Sequence, residues 1–140
     1  MLLDVNVLID AHRMDSPHHD AVADWLRETL ESGRTALLAD LVMTGFVRIV
    51  TSPRIFDPPS PAEKAMEFLD ELLAEPGCRR VWAGPRHWEI MRRMIIEGDA
   101  RANLVTDAHI AALAVEQGTP LVTRDRDFAR FPGLVTIRPG

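Results

Sequence analysis

Short apolar runs alternate with stretches of helical periodicity from one end of the chain to the other. That alternation constrains the fold more than any other feature. Residues 2–5 (Leu-Leu-Asp-Val) read as a short buried strand, and residues 8–12 begin a first helix. Val22, Trp25, Leu26 and Leu30 then recur at helical spacing up to Gly33, a good C-terminal stop. Residues 35–39 form a second apolar run. Asp40 is placed to cap the next helix, which extends to about Thr51, ahead of Pro53. Ala62, Ala65, Met66, Leu69, Leu72 and Leu73 share one helical face. Residues 80–83 read as a third strand, and Trp88, Met91, Met94 and Ile95 mark another amphipathic helix. Residues 106–117 are an alanine-rich helix stopped by Gly118 and Pro120, and residues 121–123 and 134–137 complete the strands. This order predicts an α/β fold: a mainly parallel, twisted central sheet of about five strands with helices on both faces.

Residues 53–61 contain four prolines, which exclude a helix or a central strand. Neither flank is long enough for a second domain, so residues 1–140 are expected to form one domain. The 46% hydrophobic fraction suffices for a core. No long uncharged apolar run predicts a membrane span, and the start, Met1-Leu-Leu-Asp4, lacks the pattern of a secretory leader. The only cysteine, Cys78, fits a reducing, cytoplasmic setting. The formal net charge of −5 argues against a general, charge-driven nucleic-acid binder, so any nucleic-acid chemistry has to come from a local site.

In an open parallel sheet, ligands bind beyond the carboxyl ends of the strands. Asp4 falls near the end of the first strand. Asp125 falls just past residues 121–123, and Asp107 falls at the start of the alanine-rich helix, with Thr106 as its candidate cap. Three carboxylates far apart in sequence are thus expected on one rim. Two like charges about 4 Å apart repel by roughly 4 kcal/mol at an effective dielectric near 20. Protonation relieves the repulsion by raising a pKa. A hard cation relieves it better, and oxygen ligands suit Mg²⁺ or Mn²⁺, an ion that activates water and neutralises a phosphodiester. Each acid also has an ordinary role. Asp107 complements a helix dipole, and Asp125 suits a turn, paired with Arg124 or Arg126. Asp4, at the end of a buried strand, needs a partner or a cation.

Asn6, two residues after Asp4, shares its face while the chain stays extended, or caps a helix. Thr123 stands in the same relation to Asp125. Asp127 is a weaker ligand or a cap before Phe128. Arg124, Arg126 and Arg130 are candidate contacts to substrate phosphates, against the ordinary alternative of solvated surface arginines. The histidines lack zinc spacing, and Trp25, Trp82 and Trp88 fit the core pattern better than a base-stacking platform.

Residues 2–8 (Leu-Leu-Asp-Val-Asn-Val-Leu), 104–114 (Leu-Val-Thr-Asp-Ala-His-Ile-Ala-Ala-Leu-Ala) and 121–128 (Leu-Val-Thr-Arg-Asp-Arg-Asp-Phe) resemble the PIN-domain ribonucleases. Similarity is greatest to the VapC-like toxins of bacterial toxin–antitoxin modules. Phe46 to Arg54 and Arg86-His-Trp88 also look like one branch of that group. The resemblance implies a three-layer α/β/α sandwich and a Mg²⁺- or Mn²⁺-dependent endoribonuclease. It further implies a homodimer and inhibition by a cognate antitoxin. Asp4, Asp107 and Asp125 match the family's metal-binding acids, and Asn6 matches the polar position after the first of them. The chain departs from the family at Gly45, where many relatives carry a Glu three residues before the Arg that is here Arg48. Asp40 is the nearest acid offered in compensation.

Two other readings compete. A non-catalytic RNA-binding or protein-interaction module accommodates Gly45. A phosphotransfer enzyme with Asp4 as nucleophile has the Asp-x-Asn spacing superficially shared with haloacid-dehalogenase-like phosphatases, where a second Asp usually replaces Asn6. That reading lacks a well-placed lysine, because Lys64 is the only one in the chain.

Overall fold

Five strands form one sheet in the order β3-β2-β1-β4-β5, with every neighbouring pair parallel. They are β1 (Leu2–Leu3), β2 (Ala36–Ala39), β3 (Cys78–Val81), β4 (Leu121–Val122) and β5 (Thr136–Ile137). Six helices connect them: α1 (Val5–His12), α2 (His19–Glu31), α3 (Asp40–Val50), α4 (Ala62–Ala74), α5 (His87–Glu97) and α6 (Asn103–Glu116). A 3-10 helix, Arg126–Arg130, follows β4. The structure is a computed structural model that describes all residues, Met1–Gly140.

The chain steps outward from β1 to β2 to β3, then returns through α5 and α6 to lay β4 on the other side of β1. The strand order therefore reverses between β1 and β4, which is where an open parallel sheet leaves a crevice for ligands. Leu2 and Leu3 pair with Leu121 and Val122, all four fully buried between helical layers. Helices α1 to α4 pack on one another and α5 packs along α6, two helical layers that make three with the sheet between them. Alanines dominate the buried face of α6 (Ala108, Ala111, Ala112, Ala114), and such small side chains let a helix lie close to its neighbours. One apolar cluster runs from Leu2 to Phe131, so both helical layers share a core.

The first strand is shorter than the sequence predicts. It ends at Leu3 because Asp4 caps α1, accepting a hydrogen bond from Val5 N at 2.7 Å. Asn6 consequently lies inside the first turn of α1, neither extended nor capping. Helix α6 starts at Asn103, not at Thr106, after Ala102 turns the chain at φ 51°. Asp107 thus lies one turn inside the helix, where the dipole alone accounts for it poorly. The third strand begins at Cys78, two residues earlier than predicted, with Arg79 and Arg80 exposed on this sheet edge. Residues 52–61 contain no helix or strand, as the prolines require. Two tryptophans correct the core assignment: Trp82 and Trp88 are 61% and 66% exposed. Trp82 follows an edge strand, and α5 turns His87 and Met94 inward instead of Trp88. Only Trp25 packs against the core.

Candidate active site

The β1–β4 register carries Asp4 to the position beside Thr123, where the Thr123 hydroxyl donates to Asp4 Oδ2 at 2.7 Å. Asn6 Nδ2 donates to the same oxygen at 2.9 Å and lies 3.1 Å from Thr123 Oγ1. Asn6 Oδ1 in turn accepts from Arg124 N at 3.2 Å, and Thr123 Oγ1 accepts from Asp125 N at 3.0 Å. Asp4, Asn6 and Thr123 therefore fix the loop that carries Asp125. Asp125 caps the 3-10 helix by accepting from Asp127 N at 2.9 Å.

Three helices wall an open cleft of about 420 Å³ over this network. Helix α1 contributes Val5, Asn6 and Ile9, and α3 contributes Leu41, Thr44, Gly45, Arg48 and Ile49. Helix α6 contributes Asn103, Thr106, Asp107 and Ile110, spaced as i, i+3, i+4 and i+7, so a single stripe of that helix faces the cleft. Asp4 and Asp125 complete the lining. The three predicted acids thus share one cleft, and Asn6 and Thr123 support them.

Burial pushes the Asp107 carboxyl up to about 6, and the charges of Asp4, Asp125 and Asp127 add to the shift, while Arg130 opposes it. The Asp4 carboxyl is raised as well. Its desolvation outweighs the donors from Thr123, Val5 and Asn6, and Asp125 adds repulsion. Hydrogen bonds and Arg130 only partly offset burial and mutual repulsion, so these acids are short of counter-charge. The donors are all hard oxygens, and Asp4 Oδ1, with Val5 N as its one hydrogen-bond donor, retains a free lone pair. That chemistry fits a divalent cation such as Mg²⁺. No three acidic, histidine or cysteine side chains close on a single point as they stand.

The other predicted residues are placed differently. Asp127 lies outside the cleft wall, in the 3-10 helix that Asp125 caps, and reaches Asp107 only through its charge. Arg124 is committed to Asp10, its Nε 2.6 Å from Asp10 Oδ2. Arg130 donates to the carbonyl of Gly98 at 3.1 Å. Arg126 is exposed and outside the cleft lining. Asp40 pairs with Arg80 at 2.7 Å on the surface and does not replace the acid absent at Gly45. Lys64 pairs with Glu67 on α4, and no lysine lines the cleft.

Sequence reasoning missed Asp10. It is 4% exposed, accepts from Ser16 Oγ at 2.7 Å and holds Arg124, so it ties α1 to the Asp125 loop. The available signal was an acid inside Val7-Leu-Ile-Asp-Ala11, on an otherwise apolar helix. His87, also missed, is buried and sets its Nε2 3.0 Å from the His109 carbonyl, filling the α5–α6 contact.

A three-layer α/β protein with an acidic cleft at the strand-order reversal is the class that this fold and site define. The PIN domain family model matches residues 1–134. Ribonuclease VapC25 of Mycobacterium tuberculosis is 41% identical over 138 residues, covering 99% of this chain and 97% of that one. Ribonuclease VapC43 of the same species is 38% identical over 134 residues, covering 96% and 91%. The chain belongs to the PIN domain family. Among solved structures, VapBC2 from Rickettsia felis superposes with a TM-score of 0.75 at 18% identity, over 99% of this chain and 98% of that one. M. tuberculosis VapC20 superposes with a TM-score of 0.73 at 14% identity, with the same coverage.

Proposed function

We propose that this chain is a divalent-metal-dependent endoribonuclease, the toxin of a toxin–antitoxin module. The observation that carries the reading is the convergence of Asp4, Asp107 and Asp125 on one cleft at the β1–β4 reversal. The names of the relatives, ribonucleases at 38–41% identity across nearly the whole chain, support it. Asp4, Asp107 and Asp125 would hold Mg²⁺, or Mn²⁺ in its place. When bound, such an ion supplies charge for the phosphodiester and lowers the pKa of water. Asn6 and Thr123 fix the orientation of Asp4 by occupying its Oδ2. The Asp127 amide fixes Asp125 by occupying its Oδ1. The network restricts the side chains that have to meet substrate, which is how a site is pre-organised for reaction.

Family membership further supports a cytoplasmic protein in which residues 1–140 act as one domain, paired as a homodimer and neutralised by a cognate antitoxin. No helix is long and apolar enough to cross a membrane. Cleavage of RNA is measured with Mg²⁺, with chelator, and with Asp4→Asn protein. Cleavage is expected only in the first, and equal cleavage in all three overturns the reading. Gly45 motivates a second reading, a module that binds RNA or protein without turnover. RNA binding with no cleavage at saturating Mn²⁺ would select it.

A further inference from the structure

The acid cleft of Asp4, Asp107 and Asp125 has one cation in its wall, Arg48 of α3, which stands on the ridge between this cleft and the neighbouring groove lined by Asp40 and Asp70. The arginines that sequence spacing nominates for substrate lie elsewhere: Arg124 is bonded to Asp10, Arg130 to a backbone carbonyl, and Arg126 stands outside the lining. Arg48 is exposed, and its guanidinium takes part in none of the ion pairs of the chain. Its freedom follows from Gly45. A carboxylate three residues ahead of an arginine on a helix is its natural partner, and here that position has no side chain. Gly45 also packs against α1, where a Cβ would come 3.3 Å from Val5 Cγ2, so the glycine has a packing reason of its own.

We infer that Arg48 is a substrate-binding residue, its guanidinium left unpaired by Gly45 to grip a backbone phosphate of the RNA beside the acids. The inference rests on the ribonuclease reading for its substrate. A guanidinium suits the task because its planar fork bonds two phosphate oxygens at once. A cation in the last turn of α3 also complements the helix dipole. Lysine serves that purpose equally, so lysine replacement separates the two roles.

The experiment compares wild type with Arg48→Ala, Arg48→Lys and, as a control, Arg27→Ala on α2, where Arg27 pairs with Asp24 on the surface. Cleavage of a single-stranded RNA is followed in Mn²⁺. Binding of the same RNA is followed by fluorescence anisotropy across a salt series, on an Asp107→Asn background. Arg48→Ala is expected to raise KM by about 10- to 100-fold with kcat much less affected, as for lost charge-assisted contacts made before the chemical step. It should also lower the magnitude of the slope of log affinity against log salt by about 0.7, the value of one phosphate contact to a single strand. Arg48→Lys should recover the slope and only part of the KM. Identical KM and salt slope in Arg48→Ala and Arg27→Ala overturn the inference. If the wild type cleaves no RNA, the ribonuclease reading fails, and the salt slope alone still decides whether Arg48 grips phosphate.

Discussion

Thr123 donates its hydroxyl to Asp4 Oδ2 across the β1–β4 pair, from a residue 119 positions away in sequence. The same oxygen of Thr123 accepts from Asp125 N, so one hydroxyl joins two of the three acids. Thr123→Val removes both bonds, and the one accepted from Asn6 Nδ2 at 3.1 Å, while keeping the β-branched shape. Asp4 is 5% exposed, so its carboxylate loses a donor where water does not replace it. A loss of about 1–3 kcal/mol in urea unfolding is expected, and Thr123→Ser, which keeps the hydroxyl, should retain most of the wild-type stability. Equal stability of Thr123→Val and wild type would contradict this account.

The second expectation concerns pH. The Asp107 carboxyl is pushed up from 3.8 to about 6, first by burial and then by Asp4, Asp125 and Asp127. The folded protein therefore binds a proton more readily than the unfolded chain between these values, and metal-free stability falls as pH rises through them. Above about pH 6 the penalty is fully present. Asp107→Asn removes the charge, so this variant should exceed metal-free wild type by roughly 1 kcal/mol at pH 7.5, after discounting for partial solvent exposure. Near pH 4 the two should converge. Mn²⁺ should raise the Tm of wild type at pH 7.5 and do so less in Asp107→Asn. Parallel thermal-shift profiles for the two proteins, with and without Mn²⁺, would contradict the assignment.

The third expectation concerns the ion pair between Asp10 and Arg124. Asp10 is 4% exposed and Arg124 25%, so the pair is mostly removed from water. Asp10→Ala leaves a cation against the core and frees the loop that Arg124 N anchors to Asn6. Removing one member of a buried pair is strongly destabilising. The partial exposure of Arg124 places the loss near 3 kcal/mol, at the low end of that range. Asp10→Ala/Arg124→Ala should cost less than the sum of the single variants by about 1 kcal/mol. Additive losses in denaturant melts would show the two side chains to be energetically independent.

The contrast between Asp4 and Asp10 shows what the chain makes legible. Asp4 ends an apolar run at a strand terminus, and a parallel sheet gathers strand termini on one rim, so local pattern and fold class together place it. Asp125 follows the same logic, whereas Asp107 is placed by α6, the helix that runs back from this rim to β4 and carries it one turn inside its start. Asp10 also interrupts an apolar run, but its partner is 114 residues away, and no periodicity marks that distance. Trp82 and Trp88 were misread because apolar spacing identifies a helix or strand without saying which sheet edge or helix face solvent will cover. Arg48 was visible in the sequence as the arginine after Gly45. Its place in the cleft depends on the rotation of α3 about its axis, which the packing of Gly45 on Val5 helps to set.

The last expectation uses that contact. A Cβ at Gly45 meets Val5 Cγ2 at 3.3 Å, so Val5, a β-branched side chain stiff at χ1, has to give by a few tenths of an ångström. Gly45→Ala gains about 1 kcal/mol of helix propensity and loses part of it to the contact, so its stability should lie near that of wild type. Gly45→Glu adds a fourth carboxylate to a cleft already short of counter-charge. Its metal-free Tm should fall below that of Gly45→Ala at pH 7.5. Its affinity for Mn²⁺ should rise, on the order of 10-fold, because ligand charge count tunes affinity for hard cations. The new carboxylate also stands three residues ahead of Arg48 and competes for its guanidinium. RNA affinity in chelator should therefore drop while Mn²⁺ affinity climbs. Calorimetry for Mn²⁺ and anisotropy for RNA read the two effects separately. Mn²⁺ binding no tighter in Gly45→Glu than in Gly45→Ala would show that this position does not face the cation held by Asp4, Asp107 and Asp125.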